Sequence, residues 1–347
     1  MENNNLLFLY HTDQPYVNFH FEKFKDYFNT GIKLNYADYF IHHGQKLLED
    51  KIDSTIKDNN IDTIFILLYM HKFELKVEYI ESLKKHSKIV FLFFDDEILQ
   101  NEHDKYYAQV ADAVITTDYF GRYYYDSIGV PSILYFSAFD TKTYYPKDLK
   151  MDIDVSFIGY MDKGNRHKIV TYLKSQNINI QTFGMGSENG PVSYEEMINV
   201  FCRSKININL TQIDYFEWIK DVDPLIVRKT QNKGRPIEIA LTKSFCLSEY
   251  SPAISKVFNC KEEIITYDSL EDLAKKIKYY LKNDKEREKI ASKAYNKAIN
   301  NYEEKIYFTK VFKELKEIFN NPIKINYQIK KSNLFKKRHI RFLLSKS

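Results

Sequence analysis

The sequence predicts an α/β protein made of two consecutive doubly wound parallel-sheet domains that face a cleft. Three observations carry this prediction. Short, almost continuously apolar runs alternate with amphipathic helical stretches. The runs fall into two series with a polar stretch between them. The length, 347 residues, suits two domains at ~100–200 residues each. The first series is Leu6–Tyr10, Thr63–Tyr69, Ile89–Phe94, Ala113–Thr116 and Ser132–Phe136. The second is Val155–Gly159, Ile178–Phe183, Ile206–Leu210, Ser244–Ser248 and Ile264–Tyr267. Apolar residues at consecutive positions suit strands covered on both faces. Leu270, Leu273, Ile277 and Leu281 recur every three or four residues and make one buried helical stripe.

The polar stretch Tyr145-Pro146-Lys147-Asp148-Leu149-Lys150-Met151-Asp152 marks the expected boundary. The predicted domains are therefore 1–148 and 149–322, with closing helices from about Ser269 to Phe319. Residues 323–347 form a basic tail, with Lys330, Lys331, Lys336, Lys337, Arg338, Arg341 and Lys346 among apolar residues and no acid. That pattern reads either as a basic amphipathic segment in peripheral contact with an anionic membrane or as a solvated tail.

Net charge is only +4, which gives no argument for a nucleic-acid partner. Cys202, Cys246 and Cys260 are odd in number and lack metal-type spacing, so they read as reduced thiols. The amino-terminal MENNNLLFLYHTDQ reads as a first strand rather than a signal peptide. No apolar run reaches the ~18–20 residues that span a bilayer. These features together predict a cytoplasmic protein.

Four segments could carry chemistry. In Lys233–Phe258, Gly234 and Arg235 open a helix that carries Glu238, and a strand then ends at Ser248-Glu249-Tyr250. A carboxylate there could accept hydrogen bonds from a ribose diol, while Lys233, Arg235 and free helix N–H groups could hold a diphosphate. Glu238 could equally be a surface helix carboxylate. In Asp154–Arg166 a strand ends at Gly159, and Gly164 lies in the loop before a helix. Lys163 or Arg166 then makes either a phosphate clamp or an ordinary exposed turn. The third segment, Gly184-Met185-Gly186-Ser187-Glu188-Asn189-Gly190, is one residue longer than a dinucleotide fingerprint, which argues against a nicotinamide oxidoreductase. It fits better a glycine loop that lets a base lie on the backbone. The fourth, Asp95-Asp96-Glu97, could bind a divalent metal or cap a helix; the capping reading is preferred and no metal is expected. His11 and Asp13 follow the first strand, where they could touch a donor or acceptor sugar or form a structural polar pair.

Taken in order, DVSFIGYMDKGNRHKIVTYL, INIQTFGMG, SYEEMINVFCRSKININLT, KGRPIEIALTKSFCLSEYSPAISKVF, EEIITYDSLEDLAKKIKYYL and NDKEREKIASKAYNKA resemble the CgeB-like, spore-maturation type of glycosyltransferase, and the first domain resembles it less, in FFDDE and ADAVITTDYFGRYYYDSIGVPSILYFSAFDTKTYYP. That type belongs to the group-one transferases of GT-B fold. The resemblance covers roughly residues 152–300. It implies two Rossmann-like domains, the first on the acceptor side and the second holding a nucleoside-diphosphate sugar as co-substrate, without a tightly bound cofactor or metal. It also implies transfer of the sugar to a hydroxyl of a saccharide, lipid-linked or protein acceptor, as in surface polysaccharide, glycolipid or protein glycosylation, with retained configuration. By the same resemblance Glu238 matches the glutamate that grips the donor ribose. Arg166 and Arg235 match basic positions near the diphosphate, Gly159, Gly184 and Gly186 line the nucleotide site, and Lys205 and Asn209 lie near it. One departure is Thr230, which stands where many group-one enzymes carry a second glutamate; its role toward the sugar would fall to Glu249 or another group. If configuration is inverted instead, His11, Asp13 or Asp95 would be the base. Three alternatives stay open: a non-catalytic nucleotide-sugar binding protein, a nicotinamide-dependent oxidoreductase, and a basic-tail adaptor.

Overall fold

A computed structural model describes residues 4–68, 73, 75–94, 96–98, 100–213, 229–231 and 233–323. Asp95 and the expected basic tail from 324 onward lie outside the described residues. The chain divides into two compact units, one of residues 1–135 with 308–347 and one of residues 136–307.

The first unit runs β1 (Asn5–Tyr10), α1 (Pro15–Lys25), β2 (Thr30–Asn35), α2 (Tyr36–Asp58), β3 (Thr63–Leu67), α3 (Val77–Leu83), β4 (Lys88–Phe93), α4 (Lys105–Ala108), β5 (Ala113–Thr116), α5 (Tyr119–Ser127) and β6 (Ser132–Leu134). All its strand pairs are parallel, in the order β2-β1-β3-β4-β5-β6. The second unit runs β7 (Ile153–Ile158), α6 (Arg166–Ser175), β8 (Ile180–Phe183), α7 (Tyr194–Arg203), β9 (Ser204–Asn209), α8 (Arg235–Leu241), β10 (Cys246–Glu249), α9 (Ile254–Val257), β11 (Ile265–Tyr267), α10 (Leu270–Tyr280) and α11 (Asp284–Asn301). Its sheet is also wholly parallel, in the order β11-β10-β9-β7-β8. The two doubly wound sheets expected from the sequence are both present.

The apolar runs explain these sheets. β1, β3, β4 and β5 are buried almost throughout, because helices cover both faces. β2, with sequence TGIKLN, is only half-buried at the sheet edge and has no apolar run. It is the strand the sequence does not announce. In the second unit Leu273 and Ile277 of α10 pack with Ile169 and Leu173 of α6 against Val155, Ile206 and Leu247 of the sheet. Ser193 and Ser269 cap α7 and α10 by accepting the backbone N–H three residues on. A serine and a proline, Ser251 and Pro252, follow β10, but Ser251 does not cap a helix with its side chain: α9 starts at Ile254, which donates its N–H to the Ser251 carbonyl.

The unit boundary differs from the one expected at 148/149. Polarity does mark 145–152 as exposed chain, but packing assigns residues 136–148 to the second unit. Phe139 and Tyr144 meet edge-on at 5.3 Å, and the Tyr144 hydroxyl bonds to Glu238. The last helix, α12 (Glu304–Asn320), begins in the second unit and passes into the first. Its Phe312 stacks on Tyr27 at 4.2 Å and meets Phe24 at 5.5 Å, while Phe308 meets Phe24 at 5.6 Å. Aromatic pairs of this kind add about 0.5–1.5 kcal/mol each beyond burial.

His20 on α1 is packed among Phe24, Phe94 and Tyr135, and burial pushes its imidazole down to about 4. The neutral ring is therefore favoured in the folded unit. Its contribution is complete above the unfolded value near 6.5 and is lost as the pH falls toward 4. With allowance for partial exposure this amounts to about 2 kcal/mol. Chemical denaturation of wild type and His20→Phe should show stabilities that diverge across this window; parallel curves would refute the assignment.

Candidate functional site

Each sheet reverses its winding direction between its first and third strands, and ligands of such sheets bind outside the carboxyl ends at that point. In the second unit the reversal lies between β7 and β9. A cavity of ≈ 440 Å³ opens there, walled by Ile158 and Gly159 at the end of β7 and by Asn209 and Leu210 at the end of β9. Lys163 and Arg166 enter from the loop before α6 and from its first residue, and Lys233, Arg235 and Glu238 from the start of α8. Four cationic side chains thus face a single carboxylate among the described lining residues.

These side chains are held in place. Arg166 donates from Nη1 to the Tyr160 carbonyl at 2.6 Å, and its guanidinium lies 5.5 Å from the Phe157 ring centre. Lys163 sits over the Tyr160 ring, and Lys233 bonds to the Gln231 side chain. Arg235 lies over Phe201 and pairs with Glu238 Oε2 at 2.7 Å, as expected for residues three apart on a helix. The other Glu238 oxygen accepts the Tyr144 hydroxyl at 2.7 Å. Glu238 is therefore not a solvated surface carboxylate, for its side chain is only 12% exposed. Gly234 precedes α8 because Phe139 leaves no room for more: an added Cβ would lie 2.7 Å from that ring.

Of the residues expected at the site, Gly159, Arg166, Asn209, Lys233, Arg235 and Glu238 come together in this cavity. Gly184 and Gly186 do not line it but shape its wall. Gly184 has φ +110° and touches Gly159, and Gly186 has φ +73° beside the Asp162 carboxylate. Lys205 belongs elsewhere. It is the second residue of β9, at the amino end of the sheet, and pairs with Asp154 of β7 at 2.7 Å. Ser248 is buried; it accepts a bond from Asn209 and donates to the Glu249 carbonyl. The Glu249 carboxylate accepts the Thr211 N–H and hydroxyl and the Gln212 N–H, at 2.7, 3.0 and 3.1 Å. Glu249 thus pins the turn after β9 and does not line the cavity. Tyr250 is exposed.

His11 and Asp13 are in the first unit. The His11 Nδ1 lies 3.1 Å from the Leu67 carbonyl and so joins the carboxyl ends of β1 and β3, the winding reversal of that sheet. Asp13 accepts from Asn35, and burial followed by the Asp13 charge pushes the Tyr10 phenol up to about 12. Asp96, read in the sequence as a helix cap or metal ligand, instead accepts Thr116 Oγ1 at 2.6 Å and the Tyr125 hydroxyl at 3.1 Å inside the first unit. Burial raises its pKa well above the usual carboxylate value, with Glu97 as the next cause. Sequence reasoning missed Phe139 and Tyr144, because their segment was assigned to the other domain.

Residues 166–305, which lie within the second unit, match a family model described as glycosyl transferase-like. No curated protein matches the sequence. Among solved structures, sucrose-phosphate synthase from Thermosynechococcus elongatus aligns with TM-score 0.65 at 8% identity, covering 92% of this chain and 100% of that chain. Anabaena Alr3699/HepE in complex with UDP aligns with TM-score 0.65 at 12% identity, covering 90% of this chain and 100% of its own. A glycosyltransferase from Rickettsia africae also aligns with TM-score 0.65 at 12% identity, covering 92% and 100%. Such similarities establish a shared fold of two parallel-sheet α/β units, the GT-B architecture. No helix among the described residues is long and apolar enough to cross a membrane.

Proposed function

We propose that this chain is a glycosyltransferase that moves a sugar from a nucleoside-diphosphate sugar to a hydroxyl acceptor, with the second-unit cavity gripping the donor. The observation that carries the reading is the juxtaposition of Lys163, Arg166, Lys233 and Arg235 with the held carboxylate of Glu238. Cations suit a diphosphate, and a carboxylate with spare lone pairs suits a ribose diol. The UDP complex of a similarly folded protein supports this donor class.

The reacting bond joins the anomeric carbon to the terminal phosphate oxygen. As it breaks, positive charge grows on the sugar ring and negative charge on the leaving diphosphate. Arg166, already fixed by Tyr160 and Phe157, would stabilise that diphosphate without first reorganising. Four protein cations can carry the charge that a divalent ion carries in other transferases, which is the basis for reading the transfer as metal-independent. The only carboxylate among the described lining residues already holds two partners. The leaving phosphate is then the base, and configuration is retained. His11 and Asp13, on the first unit, are the acceptor-side candidates. The CgeB-like subtype, a saccharide, lipid-linked or protein acceptor, and a cytoplasmic site with membrane contact through the tail belong to the same proposal.

The test is thermal denaturation with UDP, GDP and ADP. A true ligand at 100 times its Kd adds about 2.7 kcal/mol. Glu238→Ala should weaken that ligand about 10–100-fold while still folding cooperatively; unchanged affinity would refute the site. A second reading, a non-catalytic nucleotide-sugar binder, draws on Thr230. It pairs with Gln212 as an isolated bridge and places no acid where many group-one enzymes have one. Ligand binding without donor turnover would favour that reading.

A further inference from the structure

We propose that Tyr144 is a positioning residue for Glu238 and that the pair makes the cavity select ribose over deoxyribose. The inference rests on the donor reading above and goes beyond it by assigning a residue outside the matched segment, which begins at 166.

Each Glu238 oxygen already has one partner, Tyr144 on Oε1 and Arg235 on Oε2, both at 2.7 Å. A carboxylate oxygen offers two acceptor positions. One therefore remains on each oxygen, and two adjacent acceptors match the two hydroxyls of a ribose. A 2′-deoxyribose would leave one of them unfilled in a largely buried site, and unpaired buried acceptors are what make such discrimination strong.

Tyr144 is itself firmly placed. It is 7% exposed, and its ring meets Phe139 edge-on. Asp140 organises the turn between them, accepting the N–H groups of Lys142, Thr143 and Tyr144 and the Thr143 hydroxyl. Phe139 is tied to the start of α12 by hydrogen bonds: it donates its N–H to the Tyr302 carbonyl and accepts the Glu304 N–H. Burial and the neighbouring Glu238 charge raise the phenol's pKa, so it remains a donor throughout the working pH range. Without that hydroxyl, Glu238 keeps only Arg235, which can draw the carboxylate along the helix surface and away from the diol.

Tyr144→Phe removes the hydroxyl and keeps the ring. Calorimetric titration of UDP, GDP and ADP, each beside its 2′-deoxy form, is the experiment, with wild type, Tyr144→Phe, Glu238→Gln and the double variant. Wild type should prefer the ribose form of its best ligand by about tenfold or more. Tyr144→Phe should weaken the ribose form about tenfold, barely change the deoxy form, and leave the unliganded melting temperature in place. The double variant should be no weaker than Glu238→Gln, since Tyr144 acts through that residue. Equal losses for both forms, additive losses in the double variant, or no loss would overturn the inference and leave the donor reading standing. Wild type that binds none of the six nucleotides would overturn the donor reading itself. If Tyr144→Phe does not fold, a wild type without ribose preference still overturns the inference, and Glu238→Gln retaining that preference does so too.

Discussion

Arg166→Ala should lower kcat/KM for donor turnover by about 10²–10³, equivalent to roughly 3–4 kcal/mol of lost transition-state stabilisation. The size follows from how the side chain is held. Its guanidinium is fixed between the Tyr160 carbonyl and the Phe157 ring at the cavity wall, so negative charge arriving on a leaving diphosphate meets a positive charge already in place. Arg166→Lys keeps the charge but loses the planar fork and the ring contact, and should recover only part of the rate. Steady-state kinetics with the donor identified by thermal denaturation provide the measurement. A lysine variant as active as wild type would show that net charge alone matters; an alanine variant with unchanged kcat/KM would remove Arg166 from the mechanism.

Gly184→Ala should cost about 3 kcal/mol of folding stability and lower the melting temperature by roughly 6–12 °C. Two effects combine at this position. The backbone has φ +110°, a conformation that side chains strongly resist, and the new Cβ would lie 2.4 Å from the Gly159 carbonyl oxygen. Relief requires the ends of β7 and β8 to part, which moves a wall of the cavity, so ligand affinity should fall as well. Gly190→Ala is the control. It has φ +68° but nothing within 4 Å of the added carbon, and should cost about 1 kcal/mol from conformation alone. Equal losses at the two positions would mean that the close approach of Gly184 to Gly159 is not tight.

The positions of most strands were legible because buried strands advertise themselves as unbroken apolar runs, and their alternation with helices indicated parallel pairing. β2 was not, since an edge strand needs only one covered face, and TGIKLN meets that need with two apolar side chains. The glycines and charges of the cavity were readable from their places after strands. Lys205 was misplaced by its proximity to Asn209 in sequence. Three residues of extended strand lie between them, enough to put one at the amino end and the other at the carboxyl end. Glu249 lies at the right end of its strand, but the unsatisfied N–H groups of Thr211 and Gln212 claim its carboxylate. Tyr144 could not be found from sequence, because its role arises from a contact across 94 positions.

The passage of α12 into the first unit bears on how the chain is made. Phe308 and Phe312 complete an aromatic layer whose other members, Phe24, Phe28 and Phe65, are synthesised far earlier in the chain. During translation the first unit must wait, unfinished, until residues 308–312 have been added, by which point the second unit already has all its parts. Ribosome-bound intermediates truncated before 308 should accordingly expose this layer to chaperones.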